Sequence, residues 1–195
     1  MGGAFLIVED DRALARVLER MLEPYGSSRA AYDAVEGRSA LRSAPAQGWA
    51  GFVFDVELGN GNGLDLLREA RTIYPEVPAL VTTGALCIDR VNGAARLSAH
   101  FIAKPFAAAD LKAFVDDVLR ADLTSVVERL SAEWGLTARE RDVMACALSG
   151  QNGEAFVRAH DISRNTYKSH VRGVLQKSGF ANLRALAVSV LRKPT

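Results

Sequence analysis

The chain has 195 residues, 49% hydrophobic and 24% charged, an ordinary globular balance with enough length for two domains. No apolar run approaches the roughly 18 residues that span a bilayer, and the start MGGAFLIVED lacks a basic leader with a cleavage pattern, so a cytoplasmic protein without membrane contact is expected. The net charge of +1 hides an asymmetry: residues 1–121 carry 16 acidic and 13 basic side chains, whereas residues 122–195 carry 7 and 11.

In chain order, the first 120 residues alternate short apolar runs with segments of helical period. The runs Ala4–Val8, Gly51–Phe54, Ala79–Val81 and Phe101–Ala103 have the length of strands buried on both faces, and Ser28–Ala31 is a fifth, poorer in β-formers. Helices are expected over Arg12–Glu23, Val35–Ser43, Leu64–Tyr74, Ile88–Leu97 and Ala109–Arg120, the first stopped by Pro24. Strands alternating with helices of this length imply βαβ units and a doubly wound, five-stranded parallel sheet. Cys87 and Cys146 have neither disulfide nor zinc spacing and read as buried small residues.

Beyond Leu123 the strand signal disappears. Ser125-x-x-Glu128 and Thr137-x-x-Glu140 read as capping boxes, Gly150 and Gly179 as helix ends, and Asp161-Ile162-Ser163 as a polar break before a further helix. Helix, helix, tight turn, helix, helix in about 60 residues is the rhythm of a helix-turn-helix unit. The domain limits expected are 1–121, a helical linker over 122–135 and a small all-α domain of four helices over 136–195. Leu119, Leu123, Val126, Leu130 and Trp134 form the apolar stripe that makes the linker helical. No acid follows Asp161, while Arg164, Lys168, Arg172, Lys177, Arg184, Arg192 and Lys193 do, so nucleic acid is the partner suggested for this half; a solvated basic face gives the same count.

Polar residues stand at successive strand ends in the first half. Glu9 and Asp10 follow the first run, Asp55 the third, Thr83 and Lys104 the last two. In a parallel sheet those ends form the site crevice. Three carboxylates meeting there call for a hard cation, and oxygen donors with room for water favour Mg²⁺. Each residue alone is an ordinary strand-end polar group; five together are not.

The motifs Leu-Ile-Val-Glu9-Asp10-Asp11, Phe-Asp55-Val-Glu-Leu-Gly-Asn-Gly-Asn-Gly63, Thr83-Gly84 and Lys104-Pro105-Phe106 resemble the receiver domain of two-component response regulators, over residues 4–120. The resemblance implies a flavodoxin-like fold with Asp55 as phosphoacceptor. It makes Glu9, Asp10, Asp55 and the backbone carbonyl of Glu57 ligands of Mg²⁺. Thr83 and Lys104 would contact the phosphoryl group, Phe101 would be the switch aromatic, and the Lys104–Pro105 bond would be cis. Asp11 reads as a helix N-terminal residue rather than a ligand. Gly59 stands where the family usually has proline. Haloacid-dehalogenase-type hydrolases also follow a strand with Asp-x-acid. They want a second Asp where Glu57 stands, and they leave Glu9 and Asp10 unexplained.

Residues 136–186, with Leu-Thr-Ala-Arg-Glu-Arg-Asp-Val, Ile-Ser-Arg-Asn-Thr-Tyr-Lys-Ser-His170-Val and Lys177-Ser-Gly179, resemble the LuxR-type DNA-binding domain. A helix over Arg164–Lys177 has an apolar face of Tyr167, Val171, Val174 and Leu175 and a basic ridge of Arg164, Lys168 and Arg172. By resemblance Lys168, Ser169 and Arg172 reach base edges of double-stranded DNA or phosphates beside them, and Thr166, His170 and Lys177 face the backbone. Residues 152–156 depart from the family's Ser-Asn-Lys-Glu-Ile, and His160 and Tyr167 replace a leucine and a valine. The last helix carries Leu183, Leu186, Ala187 and Val190, which the family uses for dimerisation and which suit packing within one domain equally well. The expected protein is not an enzyme but a transcription regulator. A sensor histidine kinase phosphorylates it on Asp55, and it then dimerises and binds DNA. The alternative is a receiver-controlled adaptor whose divergent helical domain binds a protein.

Overall fold

The computed structural model describes residues 3–85 and 87–191; Arg192 and Lys193, counted in the basic tail, lie outside them. The chain forms two compact units, Met1–Ala121 and Asp122–Thr195.

The first unit is built on β1 (Ala4–Val8), β2 (Ser28–Ala31), β3 (Trp49–Asp55), β6 (Ala79–Thr83) and β7 (His100–Ala103), with a separate two-residue hairpin of β4 (Glu57–Leu58) and β5 (Gly61–Asn62). The five long strands are all parallel in the order β2-β1-β3-β6-β7. Chain direction across the sheet reverses between β1 and β3, so the crevice at their carboxyl ends is the topological switch point where such sheets bind ligands.

Alternation along the strands divides the core in two. Leu6, Val8, Phe52 and Phe54 face α2 (Ala34–Arg42) and α3 (Gly63–Ile73). Phe5, Ile7, Val53 and Leu80 face α1 (Arg12–Leu22) and the start of α5 (Lys112–Glu133), where Phe114 and Val118 are buried. Phe5, Phe52, Phe54 and Phe114 are each less than 2% exposed, and burial of such a side chain is worth about 1.5–3 kcal/mol. The helices start on side-chain caps: Asp11 accepts from Ala13 N at 2.8 Å, Asp33 from Glu36 N at 2.8 Å and Asn62 from Leu64 N at 2.8 Å. Between β6 and β7 lies α4 (Ile88–Arg96).

Three expectations fail here. Cys87 is exposed at the N-cap of α4, since the loop after β6 runs over the surface; only Cys146 is buried. Ser125 opens no helix: α5 continues unbroken from Lys112 to Glu133. No glycine or proline interrupts that stretch, and Val127 and Leu130 are buried from within it, so packing overrides the local capping pattern. Leu119 departs from the expected stripe and is exposed.

The second unit packs α6 (Ala138–Leu148), α7 (Gly153–Ala159), α8 (Arg164–Ser178) and α9 (Leu183–Leu191) around Val143, Met144, Phe156, Val174 and Leu186. Thr137 and Glu140 complete a capping box on α6, and Ser163 caps α8 through Thr166 N at 3.0 Å. Gly179 closes α8 in the left-handed region at φ 76°, which a side chain would strain. Leu183, Leu186, Ala187 and Val190 all pack into this domain's own core.

Candidate phosphoacceptor and nucleic-acid sites

Strand register determines what meets at the sheet edge. Val8 pairs with Phe54, Asp55 with Thr82, and Thr83 with Ala103, so Glu9, Asp55, Thr83 and Lys104 end neighbouring strands at one level. Carboxylate oxygens of Glu9, Asp10 and Asp55 lie within 4.8 Å of one another. Glu9 and Asp55 are 1% and 3% exposed, a costly burial for two anions without a counter-charge.

Lys104 supplies part of it. Its ammonium donates to Glu9 Oε2 and to Asp55 Oδ2, both at 2.8 Å. Burial pulls the lysine pKa down, but the hydrogen bonds to Asp55 and Glu9 outweigh it and leave the ammonium more firmly protonated than usual. For Glu9 burial wins over the lysine, and with the charge on Asp55 it raises the carboxyl above the ordinary range. Asp55 Oδ1 is buried without a hydrogen-bond partner among the described residues. An all-oxygen donor set with one unsatisfied carboxylate oxygen fits a hard divalent cation. The Lys104–Pro105 peptide is cis.

The floor of the crevice is shaped by Gly63. A Cβ there would stand 1.9 Å from the Asp55 carbonyl oxygen, and Gly63 N donates to Val56 O at 3.1 Å. The N-terminus of α3 therefore passes directly against the end of β3, an approach only glycine allows.

Thr83 is held away from any new partner. The Arg90 guanidinium, from the first turn of α4, donates to Glu57 Oε1 at 2.7 Å, Thr83 Oγ1 at 2.9 Å and the Ala85 carbonyl at 3.2 Å. Glu57 Oε2 also accepts from Gly84 N at 3.3 Å. The hydrogen bond to Arg90 depresses the Glu57 pKa, and the same bond raises that of Arg90. Phe101 sits half-buried on β7 against the α2/α3 core.

In the helical unit, α8 presents Lys168, Ser169 and Arg172 on an exposed face, with no partner among the described residues. Val174 is fully buried and Tyr167 and Val171 pack beside it, while Leu175 is half-buried. The ends of the helix differ from its middle. Lys177 donates to the buried Glu140 at 2.6 Å and to the Gly135 carbonyl at 3.1 Å. Arg164 pairs with Glu154 at 3.0 Å. Thr166 joins the Ser163 cap through its hydroxyl at 2.8 Å, and His170 is half-buried.

Comparison with known proteins decides the family. The response regulator receiver domain family matches residues 5–116, and the luxR family of bacterial regulatory proteins matches residues 135–190. The chain belongs to the response regulators. This response regulator is 26% identical to the transcriptional regulatory protein FixJ of Bradyrhizobium diazoefficiens over 95% of both chains. It is 33% identical to the transcriptional regulatory protein YkoG of Bacillus subtilis, covering 75% of this chain and 72% of that one. The crystal structure of full-length FixJ from B. japonicum superposes with a TM-score of 0.52 at 25% identity, covering 96% of each chain. Its architecture is thus a receiver followed by a LuxR-type regulatory domain, that of a phosphorylation-switched transcription regulator. Among the described residues no helix is long and apolar enough to cross a membrane.

The response regulator's fold brings Glu9, Asp10, Asp55 and Lys104 into one pocket, with Thr83 at its rim. Sequence reading missed Arg90 and the side chain of Glu57. Neither has a motif: they meet 33 positions apart through long side chains. Glu154 was visible only as a departure from the family pattern, and nothing in the sequence tied it to Arg164.

Proposed function

We propose that Asp55 accepts a phosphoryl group from the phosphohistidine of a sensor kinase and that the modified protein pairs into a homodimer that binds double-stranded DNA. An Asp55 carboxylate oxygen attacks phosphorus in line; the O–P bond forms, the P–N bond breaks, and the imidazole leaves with its electron pair and takes up a proton. Glu9, Asp10, Asp55 and the Glu57 carbonyl would hold Mg²⁺, which offsets charge on the transferring oxygens. Lys104 is poised to pair with the phosphoryl oxygens, and Thr83 to donate a hydroxyl hydrogen bond once it leaves Arg90. Lys168, Ser169 and Arg172 are the residues of α8 assigned to base edges or nearby phosphates, with Thr166 and His170 facing the backbone.

The observation that carries this reading is the junction of Lys104 with both Glu9 and Asp55 beside an unpaired Asp55 oxygen. Intact-mass measurement after incubation with a small phosphoryl donor and Mg²⁺ tests it. One phosphoryl group is expected on the native protein and none on Asp55→Asn. Equal incorporation in the variant would refute the assignment.

A further inference from the structure

The exposed surface of α8 starts with four basic side chains, Arg164, Lys168, Arg172 and Lys177, and the domain engages two of them internally. The two engagements differ in kind. Lys177 is fastened to Glu140, which is 8% exposed and also receives Thr137 N at 2.8 Å, so this pair is part of the framework. The pair at the other end lies open: the Arg164 and Glu154 side chains are 73% and 46% exposed. The guanidinium meets both carboxylate oxygens, Nε to Oε1 at 3.0 Å and NH2 to Oε2 at 3.1 Å. Glu154 lies in the first turn of α7, where its backbone N–H donates to the N-cap Asn152 Oδ1 at 2.9 Å.

Residues at the N-terminal end of a recognition helix are the ones that reach into the groove. On the reading of α8 as that helix, Glu154 puts a carboxylate beside the end that enters the DNA. We infer that Glu154 governs DNA affinity, neutralising Arg164 and repelling the phosphate backbone so that the ridge acts through Lys168 and Arg172. A neutral pair releases no counterions, whereas each phosphate neutralised by a free cation adds about 0.9 to the salt slope. The carboxylate remains at the interface even when Arg164 swings toward a phosphate, so the arginine never contributes its full charge. The consequence is selective: sequence-independent binding rests almost wholly on such charges and is weakened most, which leaves base contacts a larger share of the total.

The test is a titration of the full-length protein, loaded with a small phosphoryl donor, against selected and scrambled duplexes at several salt concentrations. Glu154→Gln preserves shape and removes only the charge. It is expected to tighten scrambled-duplex binding about three- to tenfold at low salt and to steepen the log–log salt slope by about one unit per protomer. Arg164→Ala should cost at least about threefold more in the Glu154→Gln background than in the native one, the signature of coupled residues. Unchanged affinity and slope in Glu154→Gln, or equal cost of Arg164→Ala in both backgrounds, would overturn the inference while native binding leaves the DNA reading intact. Failure of native protein and Glu154→Gln alike to bind any duplex, with both folded by circular dichroism, would overturn the DNA reading and this inference with it.

Discussion

Thr83 can reach a phosphoryl group on Asp55 only by leaving the partners it has now. Its oxygen accepts from Arg90 at 2.9 Å and from Ala85 N at 3.2 Å, and its hydroxyl lies 3.2 Å from the Ala85 carbonyl, so every bonding direction is in use. Arg90 also fastens Glu57 across the gap between the loops after β3 and β6. The guanidinium thereby favours this arrangement of Thr83, and on the proposed function the cost of undoing it would oppose phosphorylation. Both partners are open to solvent, so the effect is modest. Arg90→Ala should speed phosphoryl uptake from a small donor by about two- to fivefold, a range suited to a screened ion pair. A mass-resolved time course reads it directly, and uptake as slow as in the native protein would mean that the clasp does not restrain Thr83. Gly63 is the opposite kind of residue, with no latitude at all. A methyl group in place of its hydrogen meets the Asp55 carbonyl oxygen, so Gly63→Ala should cost about 1–3 kcal/mol in chemical denaturation, the usual penalty for overpacking.

At the scale of elements, the helical unit shows its departures from the family answering one another. Gly153 leaves the space that the Tyr167 ring fills, since a Cβ would stand 2.8 Å from that ring. His160 stacks on Phe156 at 3.9 Å between centroids, and Tyr167 leans on the same phenyl at 5.5 Å. One aromatic cluster therefore replaces a set of aliphatic contacts. Gly153→Ala, helix-favouring elsewhere, should destabilise the domain by about 1 kcal/mol, and adding Tyr167→Val should return most of it. Additive losses in a double-mutant cycle by denaturant would show the positions to be independent. The clamp between α6 and α8 gives a pH signature. Burial raises the Glu140 pKa, but the hydrogen bonds from Lys177 and Thr137 outweigh it and hold the carboxyl below its usual 4.5. A depressed acid contributes stability above its unfolded pKa and loses it as pH falls through the folded value. Glu140→Gln should thus cost about 1 kcal/mol near neutrality, as a lost cap does, and nearly nothing well below pH 4.5, where the native carboxyl is protonated too. Thermal unfolding at both pH values measures the gap. These elements also show what a sequence can disclose. Asp55, Glu9 and Lys104 were legible because strand ends in a parallel sheet must share an edge, and Thr137 and Ser163 because caps act over three residues. Ser125 misled because the same local pattern inside α5 is overruled by Val127 and Leu130. Arg90 and Glu154 were illegible in role because a flexible side chain takes whichever partner the tertiary fold brings near.

At the scale of the molecule, with Asp55 as the proposed acceptor, α4 is placed to carry its state to a second chain. Its first turn carries Arg90, which grips Thr83, and also Ile88, which is 79% exposed; Val91 beside them is 38% exposed. On the proposed function, release of Thr83 toward a phosphoryl group would free Arg90 and with it the N-terminal turn of α4, so the surface around Ile88 and Val91 would change with the state of Asp55. Two apolar side chains on one helical turn are a modest patch by themselves, which suits an association that forms only when a second bias is added. Pairing through a two-fold axis would bring two copies of α8 to a two-fold DNA site, where linked binding of the second copy multiplies affinity without new contacts. The prediction is a reversible dimer after phosphoryl loading and a monomer before it, at micromolar concentration by sedimentation velocity. Ile88→Asp should keep phosphoryl uptake by mass, since it leaves Asp55, Lys104 and the acidic pair untouched, yet remain monomeric when loaded. DNA affinity of that variant should lose its phosphorylation-dependent increase while keeping the weak binding of a single domain. A loaded Ile88→Asp that still dimerises would move the pairing surface off α4. A native protein that stays monomeric when loaded, yet binds a two-fold site tightly, would mean that DNA itself assembles the pair.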